Sequence, residues 1–171
     1  MNTTIHYRNW IDADKQKLAK SKSFKDLADI VIEIINRIPK KIEMVSGPIS
    51  TGGVGSKIEN LKVFESVVEI LILESKLNIF SQIPFEEKMN ELYREWYVNN
   101  PDEKYCMPIL EEFYERLFSS GKVKKLHFIN DWQSSFGARW EHDNCDRWGI
   151  ERNYLPRELS VRALNGSLVA K

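Results

Sequence analysis

KIEMVSGPISTGGVGSKIENLKVFESVVEILILESKLNIFSQ, residues 41–82, decides the fold. It opens with a short apolar run, Ile42, Met44 and Val45, which reads as a strand over 41–46. A glycine- and serine-rich loop, Gly47–Ser56, follows directly. From Ile58 to Lys76 the apolar residues Leu61, Phe64, Val67, Val68, Leu71 and Ile72 recur at helical spacing. Leu77–Gln82 reads as a second strand, closed by Pro84. Strand, loop, helix and strand make a βαβ unit with a right-handed crossover.

Upstream, residues 5–21 read as a short helix or an arm. Ser23 is placed as an N-cap, and Phe24, Leu27, Ala28, Val31, Ile34, Ile35 and Ile38 mark a helix that Pro39 ends. Downstream, helices are expected over 86–99 and 108–119, with the Asn99–Asp102 turn between them and Gly121 as a stop. Residues 125–130 read as a third strand, DWQSS as a loop, and 136–148 as a helix ended by Gly149. Residues 150–156 suggest a short last strand. The tail from Arg157 is weakly amphipathic, with its final residues disordered.

This order argues an α/β fold: a single-domain parallel sheet, flavodoxin- or Rossmann-like, with helices on both faces. The expected division is an N-terminal helical extension over 1–40, the α/β domain over 41–156 and a tail over 157–171. In such sheets ligands bind beyond the carboxyl ends of the strands. The loops 47–56 and 131–137 both follow strands, so they should meet at one crevice.

Composition narrows the function. The 171 residues include 25 Lys+Arg and 25 Asp+Glu, so the formal net charge is zero. That removes the electrostatic case for a nucleic-acid polymer as partner, but leaves room for a small phosphorylated ligand. Two cysteines, Cys106 and Cys145, form no CxxC pair, and a reducing compartment is the plain reading. No signal peptide is visible, and the apolar stretch 67–73 is too short for a bilayer. A cytoplasmic protein with no membrane partner is expected. His6, His127 and His142 show no metal-ligand spacing, so neither metal nor cofactor is expected. His127 reads as core or sheet edge, His142 as a surface residue and Cys145 as a buried structural thiol.

Two loops carry the candidate chemistry. In the first, Gly47, Pro48, Ile49, Ser50, Gly52 and Gly53 combine backbone freedom with a hydroxyl at the start of a helix, where anions are favoured. A flexible connection explains the same residues. The second is Asp131-Trp-Gln-Ser-Ser135-Phe-Gly137-Ala-Arg-Trp-Glu141. Ser135 is an N-cap, and Glu141 lies one turn further on the face shared with Ala138 and Cys145. A carboxylate there needs a partner or a job. The helix N-terminus is expected to help keep it ionised. The competing reading is a surface glutamate paired to Arg139 or Arg147. Tyr93, Trp96, Tyr97 and Tyr105 read either as a lid over a base or, preferably, as packing or dimer-interface residues.

MVSGPISTGG after a strand, IFSQIPFE after the next, and SSFGARWE opening a late helix resemble the nucleoside 2-deoxyribosyltransferase-like superfamily, which includes nucleoside-monophosphate N-glycosidases. The resemblance covers 42–150. It implies that Glu141 is the nucleophile and that Ser135 and Gly137 hold the sugar or its 5′-phosphate. It further implies that the first loop lines the sugar and base pocket, and that Asp131 assists. Ser134 is a candidate phosphate contact and Trp132 a candidate stacking partner for the base. The implied activity is N-glycosidic cleavage or base exchange on a nucleoside or nucleoside 5′-monophosphate, by a homodimer or larger assembly. The alternative is a non-catalytic nucleotide-binding sensor or sequestering protein.

Overall fold

The computed structural model describes residues 3–169 apart from Thr51 and Val54. The final residues expected to be disordered, 170–171, lie outside the described residues. Three parallel strands, β1 (Ile42–Ser46), β2 (Val123–Phe128) and β3 (Glu151–Tyr154), lie side by side in the order β1-β2-β3. Helices α1 (Thr3–His6), α2 (Asp12–Lys20) and α3 (Phe24–Arg37) precede β1. Helix α4 (Lys57–Leu73) follows the first loop. Next come α5 (Glu86–Asn99) and a π-helical stretch (Ile109–Tyr114) that runs into α6 (Glu115–Ser119). Helix α7 (Phe136–Trp148) lies between β2 and β3, and α8 (Arg157–Val169) closes the chain.

Strand alternation sends side chains to two cores. Ile42, Met44, Leu126 and Phe128 face a core built with α3, α5, the π-helical stretch, α6 and Cys145 of α7. Val45 and Ile129 face a second core, where α4 meets Leu159, Ala163 and Leu164 of α8. Both faces of the sheet are therefore covered, as the βα order requires. Leu27, Ala28, Val31, Ile34 and Ile35 have no exposed surface, so α3 is a full layer of the fold. Its start is fixed by Ser23, whose hydroxyl accepts from the Asp26 amide at 3.1 Å.

Two expectations are corrected. Residues 77–82 do not form a strand. They contribute a single parallel bridge, Ile79 to Glu43, on the free side of β1. The Glu43 amide donates to Asn78 O at 3.0 Å and the Phe80 amide to Glu43 O at 2.8 Å. The ladder stops there because Gln82 is already in a helical conformation (φ −81°, ψ −9°), and its side-chain Nε2 donates to Val45 O at 3.0 Å. That side chain thus occupies the acceptor that the next ladder rung would use. The outer edge of this segment is covered by the N-terminal arm. Arg8 donates to Ile79 O at 2.5 Å, and His6 Nδ1 lies 2.8 Å from Ser81 Oγ. An edge capped in this way offers no free template for pairing.

The tail from Arg157 is the second correction. It is a helix laid along α4, with Arg162 forming a two-pronged pair to Glu74, one prong at 2.8 Å. Burial of Ala163 and partial burial of Leu159 and Leu164 supply the apolar contact that its weak sequence periodicity hid.

With the 78–80 segment on one side of β1 and β2 on the other, all running parallel, successive crossovers leave in opposite directions and the strand order reverses beside β1. The crevice beyond the carboxyl ends of β1 and β2 is the place such a sheet offers a ligand.

Candidate functional site

The crevice forms because the two strand ends approach closely. A Cβ on Gly47 would stand 2.9 Å from Ile129 Cβ, so only glycine fits here without a shift. The two loops are then tied together. The Gly53 amide donates to Ser134 Oγ at 2.8 Å, and that hydroxyl donates to Asp131 O at 2.7 Å. Gly52 and Gly53 have φ of +71° and +70°, and a Cβ on Gly52 would fall 2.2 Å from Ser134 Oγ. Asn60 of α4 holds Gly52 O at 2.9 Å. The expected meeting of the two loops is therefore observed, through glycines that permit the contact and a serine that makes it.

The carboxyl-end crevice is divided into two cavities. One, of about 260 Å³, is lined by Gly47, Ile49, Ser50, Ser135, Gly137 and Glu141, together with residues of α5 and the π-helical stretch. Pro48, Gly53 and Asp131 line the other, of about 410 Å³, with Arg157 and Ser160 of α8. Gly52 and Ser134 act as the clamp between the loops. Trp132 stacks on His142 with ring centroids 4.2 Å apart, and Tyr154 donates to or accepts from His142 Nε2 at 2.9 Å. Asp131 and Trp132 thus stand apart from Glu141. The reason is local: Asp131 adopts a left-handed conformation (φ 68°), and the short turn Trp132–Ser134 then carries the chain away before α7 begins. His142, read as a surface residue, is half-buried under Trp132.

Glu141 is placed by α7. Ser135 caps the helix, its Oγ accepting from the Ala138 amide at 3.3 Å. Glu141 then falls on the buried face with Ala138 and Cys145, and only 7% of it is exposed. The surface reading, with Arg139 or Arg147 as partner, does not hold. Arg139 donates to Gln133 O, and Arg147 pairs with Glu115 at 2.7 Å. Burial pushes the Glu141 carboxyl up to about 7, and only the neighbouring Ser46 hydroxyl pulls it down. The expectation that the helix N-terminus keeps it ionised is therefore corrected. Desolvation prevails because the carboxyl lies more than a turn into the helix, where the dipole has faded.

The fully buried thiol of Cys145 donates to Glu141 O at 3.3 Å, and His127 is buried on β2, as the sequence suggests for both.

Of the opposite wall, sequence reasoning offered only Tyr93 and Tyr105, as one of two readings, and missed the rest. Glu86, Met89, Asn90 and Tyr93 of α5 all line the Glu141 cavity. They fall at i, i+3, i+4 and i+7, one face of one helix, and that spacing after the carboxyl end of the second β segment was the available signal. Burial lifts the Glu86 carboxyl to about 7, against a weaker downward pull from Lys57. Tyr105 and Tyr114 also line the cavity, and both phenols are raised, first by burial and then by the charges of Glu141 and Glu86. Tyr93 and Tyr105, read either as a lid or as packing residues, do both: they line the cavity, and they pack on Tyr97 and Phe136 respectively. A Cβ on Gly137 would stand 2.9 Å from the Tyr105 hydroxyl, so glycine lets that phenol into the site.

One further polar atom in the wall, Gln82 Oε1, is buried and lacks a hydrogen-bond partner. Such an atom is costly unless a ligand or water meets it. No group of His, Cys, Asp and Glu among the described residues is arranged to hold a metal ion. No helix among them is long and apolar enough to cross a membrane. Compared with known proteins, the chain matches no family model, no curated protein and no solved structure.

Proposed function

We propose that this protein cleaves the N-glycosidic bond of a nucleoside or nucleoside 5′-monophosphate, with Glu141 attacking the anomeric carbon. One observation carries the reading. Among the described residues three carboxylates have almost no exposed surface, Asp14, Glu43 and Glu141, while Glu86 is half-buried in the wall of the Glu141 cavity. Asp14 is paired to Arg37, and Glu43 to His127 and Lys124. Glu141 alone among the three has no cationic partner, and it lines a cavity.

A desolvated, unpaired carboxylate is poorly stabilised until positive charge appears beside it. An oxocarbenium-like centre at C1′ supplies that charge in the transition state, where it lowers the barrier. Attack by Glu141 breaks the bond to the base and forms a glycosyl ester. Water then hydrolyses the ester with overall retention, or a second base takes the sugar. Gln82 Oε1, an acceptor, is suited to a hydroxyl or amine of such a substrate. Ser135 and Gly137 present the positive end of α7, and Lys57 and Lys104 line the same cavity, which suits a 5′-phosphate.

The test is base release from a panel of nucleosides and 5′-monophosphates, followed by chromatography, with Glu141→Gln beside the wild type. Free base from the wild type, abolished in the variant, is expected. Tight nucleotide binding without release, unchanged in the variant, would replace the reading with a nucleotide sensor.

A further inference from the structure

We propose that Glu86 is the proton donor that lets the base leave, and the base that activates water afterwards. The inference rests on the proposed function. It adds a second carboxylate, the last residue of the IFSQIPFE stretch, that comes from a different helix.

Geometry carries it. Glu86 is the first residue of α5, and Glu141 lies in the second turn of α7, yet both line the same cavity. Asp131, the acid that the sequence offered, lines the neighbouring cavity. Tyr105 and Tyr114 each feel the charge of both glutamates, so the two carboxylates look onto a common space. Two carboxyls lining one cavity are what two-carboxylate glycosidic chemistry needs.

The titratable and charged groups lining the cavity around Glu86 are Lys57, Lys104, Tyr105, Cys106, Tyr114 and Glu141. Lys57 is held by Asn90 Oδ1 at 3.1 Å, one turn along from Glu86, and its pull does not overcome burial. With Glu86 and Glu141 both raised to about 7, each is partly protonated near neutral pH, and the reactive form is the one with the proton on Glu86 and the charge on Glu141.

The steps balance. As the C1′–N bond breaks, its electron pair goes to the base nitrogen, which takes the proton from Glu86. A Glu141 oxygen forms the bond to C1′. In the second step Glu86, now a carboxylate, takes a proton from water while the water oxygen attacks C1′. The ester bond breaks and its electron pair returns to Glu141.

The experiment compares two leaving groups on one sugar: a natural base, and p-nitrophenolate, which departs without a proton. Glu86→Gln should lower kcat/KM for base release by about 10²- to 10⁴-fold. On the nitrophenyl glycoside kcat/KM, which reports the first step alone, should stay within a few-fold of wild type, while kcat falls because hydrolysis of the ester still needs Glu86. The wild type itself gives an independent check, because the alkaline limb of its kcat/KM–pH profile should appear with the natural base and vanish with the nitrophenyl glycoside. Equal losses of kcat/KM for Glu86→Gln on both substrates, near-normal base release by that variant, or a wild-type alkaline limb common to both substrates would overturn the assignment. Base release that depends on Glu141 but not on Glu86 removes this inference alone. Absence of base release from the wild type removes the parent reading with it.

Discussion

Glu43 and Glu141 are buried to nearly the same degree, 6% and 7% exposed, and differ in almost everything else. Glu43 lies in β1 with His127 Nε2 at 2.6 Å and Lys124 Nζ at 3.0 Å, and Asn153 holds the other His127 nitrogen at 2.8 Å. Burial raises its carboxyl, but these partners outweigh burial and hold it below the ordinary range. Glu141 has a serine hydroxyl and a cavity, and it rises to about 7. The lesson is that burial of a carboxylate is not itself a sign of function. What distinguishes the two is whether the fold supplies the counter-charge or leaves it for something else to supply.

The sharpest way to break that contrast is kinetic. Glu141→Gln should reduce base release by at least about 10³-fold, roughly 4 kcal/mol of barrier. Glu43→Gln should leave kcat within about threefold of wild type, measured in the same chromatographic assay. A large kinetic loss at Glu43 would erase the distinction.

Stability against pH offers the second test, and the two residues carry opposite signs. Glu141 is raised from 4.5 to about 7, so the folded state holds its proton more tightly than the unfolded chain. The stability it contributes is complete below pH 4.5 and is lost as pH rises to about 7, a change of about 3 kcal/mol. Glu141→Gln, which stays neutral, should therefore gain on the wild type in urea melts between pH 5 and pH 8. Glu43 is lowered, so its contribution is present above the ordinary carboxylate range and is lost as pH falls through its folded value. Glu43→Gln should destabilise the protein by about 2 kcal/mol at pH 7, because His127 and Lys124 lose their charged acceptor, and by less in acid. Parallel pH profiles for the two variants would contradict the assignment of partners.

Smaller effects sharpen the boundary of the site. Gly137→Ala places a methyl 2.9 Å from the Tyr105 hydroxyl and should lower kcat/KM by about tenfold, with a stability cost of about 1 kcal/mol. Trp132→Ala removes a stack on His142 outside the Glu141 cavity, so KM should move by less than about threefold while the melt loses about 1 kcal/mol. A large KM effect at Trp132 with unchanged stability would bring that residue back to the base.

Much of this was legible in the sequence. Apolar periodicity placed α3 and α4 within a few residues, because each buries one face and nothing competes for it. Ser23, Ser135 and Gly149 marked helix ends by local chemistry that needs no tertiary partner. The meeting of the two loops followed from topology alone. Residues 77–82 show where that reasoning stops. Their composition suits a strand, but the rung at Val45 is taken by the Gln82 side chain, a contact across 37 positions of chain. Helix α8 was hidden for the converse reason, since its weak apolar stripe acquires meaning only against α4.

The sequence by itself determined the α/β class, the main helices, the strand directions and the crevice, and it set Glu141 beside that crevice without deciding whether the side chain is buried. These follow from local periods and capping, which act over a few residues. Only the tertiary structure decided that Asp131 faces a separate cavity, that Glu86 and Tyr105 share one with Glu141, and that Glu43 has counter-charges where Glu141 has none. Those facts depend on which side chains distant segments bring within a few ångströms, and desolvation and Coulomb interactions are set by that assembly.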